Sequence, residues 1–178
     1  MDARRTALIT GITGQDGSYL AEFLLKKGYD VHGVVRRTSG DEHPRLSHLE
    51  GQIQLWPGDL LDQTSLTDTL FRTRPDEIYH LASQSFVGTS WQQPILTCDV
   101  TGLGTVRLLE AMRLACPGGV SVVVVFWRAP GAGCLYEAGV AAVAAPGGPE
   151  TSMAVAQVVR IWRCMTRTVG RRSCQDTR

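Results

Sequence analysis

Three glycines carry the first sign of chemistry in this sequence. Gly11, Gly14 and Gly17 recur at every third position in Gly11-Ile12-Thr13-Gly14-Gln15-Asp16-Gly17, directly after the apolar run Thr6–Thr10. Between a strand and a helix, such spacing suits a pyrophosphate. Gly11 permits a tight turn out of the strand, Gly14 admits a phosphate against bare backbone, and Gly17 lets the helix close on the sheet. The N–H groups freed at the helix start then face the phosphate charge, with Thr13, Gln15 and Asp16 on the same turn. A plain tight turn could use the same glycines. What distinguishes the motif is the strand pattern before it and the helix pattern after it.

A second group of residues bears on which dinucleotide would fit. Val34-Val35 runs into Arg36-Arg37-Thr38-Ser39. A site for an unphosphorylated ribose ends this strand with an acid that accepts from the 2′-hydroxyl. Two guanidiniums suit a 2′-phosphate instead, which arginine holds bidentately. The expected cofactor is therefore NADP, and a solvated basic loop is the plainer alternative. Asp59-Leu60 follows a third apolar run and could accept from an adenine amino group or simply close a turn. Leu81-Ala82-Ser83-Gln84-Ser85 follows a fourth, where small hydroxyl residues could line a cofactor, cap a helix, or do both.

These residues need a scaffold, and the pattern supplies one. Strands are expected at Thr6–Thr10, Val31–Val35, Gln52–Leu55, Glu77–Leu81 and Val120–Phe126. Helices are expected at Ser18–Lys27, stopped by Gly28, then at Thr64–Phe71 and Val100–Leu114. Strand–helix alternation at this spacing predicts an α/β, Rossmann-type, doubly wound parallel sheet with helices on both faces. Residues 1–127 would form the NADP-binding domain. From about Pro117 lysine and histidine vanish, and alanine, glycine, valine and proline crowd Gly131–Pro149. Residues 128–178 are therefore expected to be divergent and partly disordered, with one helix over 151–166.

Composition narrows the function classes. The 178 residues carry a net charge of +1, which gives no electrostatic case for nucleic acid. No apolar run approaches the roughly 20 residues of a spanning helix, so no membrane role is expected. The amino terminus shows no signal-peptide core, which points to the cytoplasm. The cysteines at 98, 116, 134, 164 and 174 form no C-x-x-C pair and are expected to be reduced thiols. The four histidines lack metal-ligand spacing, so no metal is expected.

The run Ala7–Leu25, A-L-I-T-G-I-T-G-Q-D-G-S-Y-L-A-E-F-L-L, resembles the opening of the GDP-mannose 4,6-dehydratases. These belong to the extended short-chain dehydrogenase/reductase superfamily. Val34–Ser39, Gly58–Leu60, Glu77–Ser85 and Val100–Glu110 resemble the same family in order and spacing, so the likeness covers about residues 5–116. It implies NADP as cofactor, GDP-mannose as substrate and GDP-4-keto-6-deoxymannose plus water as products. It also implies a homodimer or homotetramer, with the Arg36–Arg45 loop a plausible contact. On this resemblance the cofactor-binding residues are Gly11, Thr13, Gly14, Gln15, Asp16, Gly17, Arg36, Arg37, Asp59, Leu60, Leu81, Ala82, Ser83 and Ser85.

The family's chemistry rests on a Tyr-x-x-x-Lys pair, a hydroxyl residue and a glutamate. The best placement of the last two falls on Gly131 and Gly133, and that of the pair on Met153 and Gln157. None of these can do the work, and no Tyr-x-x-x-Lys occurs in the 178 residues. No catalytic residue is therefore assigned. The chain is expected to end before the family's C-terminal substrate domain, leaving a non-catalytic NADP-binding module or a non-functional fragment as alternatives. Frameshift and in-frame decay are equally open as the origin of the unusual C-terminal third. An uncovered sheet edge and apolar face would then favour association or poor solubility.

Overall fold

The computed structural model describes residues 4–36, 43–84, 86–116 and 121–124. Within them, five strands form one parallel sheet: β1 (Thr6–Thr10), β2 (Asp30–Val35), β3 (Ile53–Pro57), β4 (Glu77–His80) and β5 (Ser121–Val124). Their order is β3-β2-β1-β4-β5. The chain first moves outward from β1 to β3, then returns past β1 to β4 and β5. The strand order thus reverses between β1 and β4.

Alternation along β1 decides what each face buries. Ala7 and Ile9 point to one side, with Val31 of β2 beside them. That side is covered by α1 (Gln15–Lys26), through Ala21 and Leu24, and by the 3-10 turn Ser47–Leu49, through Leu49 and neighbouring Leu46. Leu8 points to the other side, with Val34 and Ile78. There α2 (Gln63–Thr73) and α5 (Gly104–Ala115) bring Leu66, Leu70, Leu108 and Met112. The sheet is doubly wound, as its sequence pattern implied. Each fully buried leucine contributes about 1.5–3 kcal/mol, so these two layers are the main source of stability.

Several boundaries move from their expected places. Helix α1 starts at Gln15, not Ser18, because Gly14 is its N-cap and Gly17 lies inside it. Gly28 takes φ +82° just beyond the helix, the left-handed stop that glycine supplies without strain. Helix α2 extends over Gln63–Thr73, since the Asp62 side chain accepts from the Thr64 N–H and caps it. Strand β3 shifts toward its carboxyl end, with Val31 opposite Ile53 and Val35 opposite Pro57. At the end of an edge strand Pro57 needs no ladder N–H. Strand β4 ends at His80, although Leu81 still donates to the Thr10 carbonyl.

The largest difference lies between β4 and β5. The helix expected over Val100–Leu114 is present as α5, its first turn taken by a π-helical turn (Asp99–Leu103), and two short helices that the pattern did not give, α3 (Val87–Gln92) and α4 (Pro94–Cys98), precede it. Pro94 begins α4 at a position where its missing N–H loses nothing. Cys98, Asp99, Leu103 and Gly104 all keep right-handed helical angles, so the backbone winds on without a break into α5. Of β5, the described part is Ser121–Val124; Val120, Val125, Phe126 and the helix expected over 151–166 lie outside the described residues.

At the amino ends of the strands a polar cluster ties the sheet together. Glu77 accepts from the hydroxyls of Tyr29 and Tyr79 and from the Arg5 guanidinium, at 3.1, 2.6 and 3.2 Å. Burial, and this anionic partner, push the Tyr79 phenol above its ordinary range. The carboxyl ends are left to the loops that bear the candidate residues.

Candidate functional site

Every strand that carries a candidate residue delivers it to the same edge of the sheet. β1 ends in Gly11, β2 in Arg36, β3 in Gly58-Asp59 and β4 in Leu81-Ala82. In open α/β sheets ligands bind at the carboxyl ends of the strands, at the point where strand order reverses. Here that point lies between β1 and β4.

Gly11 has φ +76°, a left-handed conformation that other residues reach at a cost. A Cβ there would also stand 2.8 Å from the Ala82 nitrogen and 2.9 Å from the Leu81 carbonyl carbon. Gly11 therefore lets the exits of β1 and β4 touch. A Cβ on Gly17 would run into the Gly11 carbonyl and come within 2.6 Å of the Ile12 Cα. Gly17 thus sets how closely α1 approaches the turn. Gly14 is exposed, and a Cβ on it would meet just the Gly11 carbonyl, at 3.2 Å. Its N–H donates to that carbonyl at 3.0 Å. No side chain caps α1, so its first turn presents uncapped backbone N–H groups at the crevice.

Thr13 is half-buried in the turn, and Gln15 and Asp16 are exposed in the first helical turn. Ser18 is buried and donates to the Gln15 carbonyl at 2.8 Å, bracing the turn from inside. Arg36 is exposed at the end of β2, next to the glycine turn of β1. Arg37 and Ser85 lie outside the described residues, as do Gly131, Gly133, Met153 and Gln157.

Asp59 closes a turn. Its carboxylate accepts from the Leu61 N–H at 2.9 Å, and its carbonyl accepts from Asp62 at 3.0 Å. The Leu60 side chain is buried in the α2–α5 core, so its backbone is the part at the crevice. Arg107 of α5 donates to the Leu60 carbonyl at 3.3 Å while pairing with Asp99 at 2.8 Å. Gly104 permits that approach: a Cβ on it would sit 2.9 Å from the Leu60 Cβ. Leu81 and Ala82 are half-buried and Ser83 is exposed. Ser83 does not cap a helix, since α3 begins at Val87.

The sequence pattern did not single out the buried polar chain behind this edge. Thr10, His80 and Thr105 are each at most 3 % exposed. His80 Nδ1 lies 2.6 Å from the Thr10 hydroxyl and Nε2 lies 3.1 Å from the Thr105 hydroxyl. Burial pushes the His80 pKa down to about 4, so the ring is neutral. A histidine inside the strand Glu-Ile-Tyr-His, on the face shared with Leu8 and Ile78, was the available signal.

A shallow concavity of about 500 Å³ lies on the helical segment, lined by Pro94, Ile95, Cys98, Asp99, Leu103 and Arg107. It contains no residue of the glycine turn. Among the described residues no group of His, Cys, Asp or Glu could hold a metal, and no helix is long and apolar enough to cross a membrane.

A parallel sheet with reversed strand order, a three-glycine turn and an uncapped helix at that reversal defines a dinucleotide-binding α/β domain of Rossmann type. A family model described as GDP-mannose 4,6 dehydratase matches residues 8–126, and the chain belongs to that family. The GDP-mannose 4,6-dehydratase of Vibrio cholerae serotype O1 is 52 % identical over 117 residues, which are 62 % of this chain and 31 % of that protein. The human GDP-mannose 4,6 dehydratase is 52 % identical over 118 residues, 62 % of this chain and 32 % of its own length. The chain thus spans about a third of the length of the curated relatives it matches. Among solved structures, UDP-glucose 4-epimerase of Thermotoga maritima superposes with a TM-score of 0.62 at 22 % identity, over 87 % of this chain and 51 % of that one. The Brucella ovis UDP-glucose 4-epimerase, solved in complex with NAD, gives 0.57 at 25 % identity, over 84 % and 45 %.

Proposed function

We propose that this chain binds NADP and corresponds to the cofactor-binding part of a GDP-mannose 4,6-dehydratase. The observation that carries the cofactor reading is the placement of Arg36. It stands at the end of β2, where an acid would serve an unphosphorylated ribose, beside the glycine turn that leaves β1 and opens the uncapped helix α1. The glycine turn suits a pyrophosphate, because Gly14 is exposed at the uncapped start of α1 while Gly11 and Gly17 let the turn close tightly on its own backbone. Gly11, Gly14 and the first turn of α1 would hold the pyrophosphate, with Thr13, Gln15 and Asp16 around it. Arg36 and Arg37 would hold the 2′-phosphate, and Asp59 and Leu60 the adenine edge. Leu81, Ala82, Ser83 and Ser85 would line the crevice. Bound there, the cofactor supplies hydride transfer; the chain's own residues bind and orient it.

The family's substrate, GDP-mannose, comes to this chain through its relatives. A second reading, a module that binds NADP without turnover, is favoured by the absence of any Tyr-x-x-x-Lys in the 178 residues. The two readings share one first experiment, calorimetric titration of the full chain with NADP and with NAD. NADP should bind at least tenfold more tightly than NAD, and Arg36→Ala should remove about tenfold or more of NADP affinity with little change for NAD. Equal affinities, or no binding of either, would overturn the cofactor reading. Incubation with NADP and GDP-mannose then separates enzyme from module: a 4-keto product marks the first, and binding without product the second.

A further inference from the structure

The buried polar chain behind the crevice closes into a circuit whose donors and acceptors can be assigned. The Thr105 hydroxyl donates to the Thr101 carbonyl at 2.8 Å. It has one hydrogen, so toward His80 it must accept, and Nε2 carries the ring proton. Nδ1 is then bare and accepts from the Thr10 hydroxyl at 2.6 Å. The Thr10 oxygen in turn accepts the Ala82 N–H at 3.3 Å. On the far side, the Thr101 hydroxyl accepts the Gln84 N–H at 3.2 Å. Residues 82–84 are therefore held at both ends. Ala82 is tied to β1 and Gln84 to the π-helical turn before α5, and His80 joins the two anchors.

We propose that His80, through Thr10 and Thr105, is a positioning residue for the cofactor site: the circuit fixes the backbone of Leu81–Gln84 against the Gly11 turn. The inference rests on the cofactor reading above. Gly11 touches the Leu81–Ala82 peptide, so rotation of that peptide would reshape the glycine turn itself. His80 is well placed for this role because a neutral imidazole has one donor and one acceptor on opposite sides of a rigid ring. Thr10 on β1 and Thr105 on α5 are neutral, and burial alone lowers the ring's pKa.

The test uses the full chain and two readouts. The first is nitrogen-15 NMR of the His80 ring without cofactor. The circuit requires a proton on Nε2, none on Nδ1, and no titration of the ring between pH 8 and 5. A proton on Nδ1, or titration near pH 6.5, would overturn the circuit whether or not the chain binds NADP. The second is NADP titration of Thr105→Val and Thr105→Ser, well below their melting temperatures. Thr105→Val removes the acceptor for Nε2 and should weaken binding about fivefold, with a shifted Ala82 amide signal, while Thr105→Ser restores both. Unchanged affinity in Thr105→Val, with the Ala82 signal unmoved, would show a packing role and refute positioning. If wild type binds no NADP, the cofactor reading and the positioning role both fail, while the first readout still decides the circuit.

Discussion

Acid should destabilise this chain through His80 in a way that can be isolated. The ring is buried, and burial pushes its pKa from 6.5 to about 4. In the unfolded chain it returns to 6.5. Between pH 6.5 and 4 the unfolded state therefore binds a proton that the folded state does not, and acidification favours unfolding. Above pH 6.5 the histidine is neutral in both states and has no effect; below about 4 both carry the proton and the loss is complete. At about 1.4 kcal/mol per pKa unit, the shift predicts a loss of about 3 kcal/mol across this window. That is a large fraction of the 5–15 kcal/mol typical of a domain. The assay is urea denaturation at half-unit steps from pH 7.5 to 3.5, on wild type and His80→Gln. His32, whose pKa burial also lowers, contributes a slope of the same sign in both proteins, so the difference between them isolates His80. Wild type should lose its advantage progressively as pH falls through the window. A difference that stays constant from pH 7 to 4 would refute the assignment of a buried, neutral ring.

Two further substitutions probe the turn and its supports. Gly17→Ala should destabilise the chain by about 1–3 kcal/mol and abolish NADP binding, because the new methyl meets the Gly11 carbonyl and Ile12 backbone; a thermal melt and a titration of the same sample check both. Asp62→Ala should cost about 1 kcal/mol by removing the cap of α2 while leaving cofactor affinity unchanged, since Asp62 holds the Thr64 N–H and no residue of the glycine turn.

The parts of this fold that sequence reveals are those governed by local periodicity and by glycine. Alternation in Thr6–Thr10 and the apolar stripe of α1 reflect which sheet face each residue covers, and both are visible without coordinates. The glycine turn is legible because a left-handed φ at Gly11 and a collision at Gly17 admit almost nothing else. Boundaries were less legible where propensity and context disagree. Gly14 and Gly17 mask the true start of α1, and Pro57 hides the end of a strand whose partner supplies the ladder. The Thr10–His80–Thr105 chain joins residues 70 and 25 positions apart, so no local pattern announces it. The contact of Gly104 with Leu60 spans 44 positions and is hidden from local pattern for the same reason.

The π-helical turn makes the length of one stretch matter in an unusual way. The Gly104 N–H reaches back five residues to the Asp99 carbonyl, one more than an α-helix allows. This extra residue is a spacer that resets the phase between α4 and α5. Deleting one residue within Asp99–Leu103 would let the rod re-form as plain α-helix, with its stability little changed. Yet everything on one side would turn by roughly 100° relative to the other. With a deletion at 102 or 103, Thr101 would leave Gln84 if α5 kept its place; if α4 kept its place instead, Thr105 would leave His80, and Arg107 and Gly104 would swing off Leu60. Changes in the residue count of this stretch should therefore be tolerated far worse than substitutions that leave Asp99 and Thr101 in place.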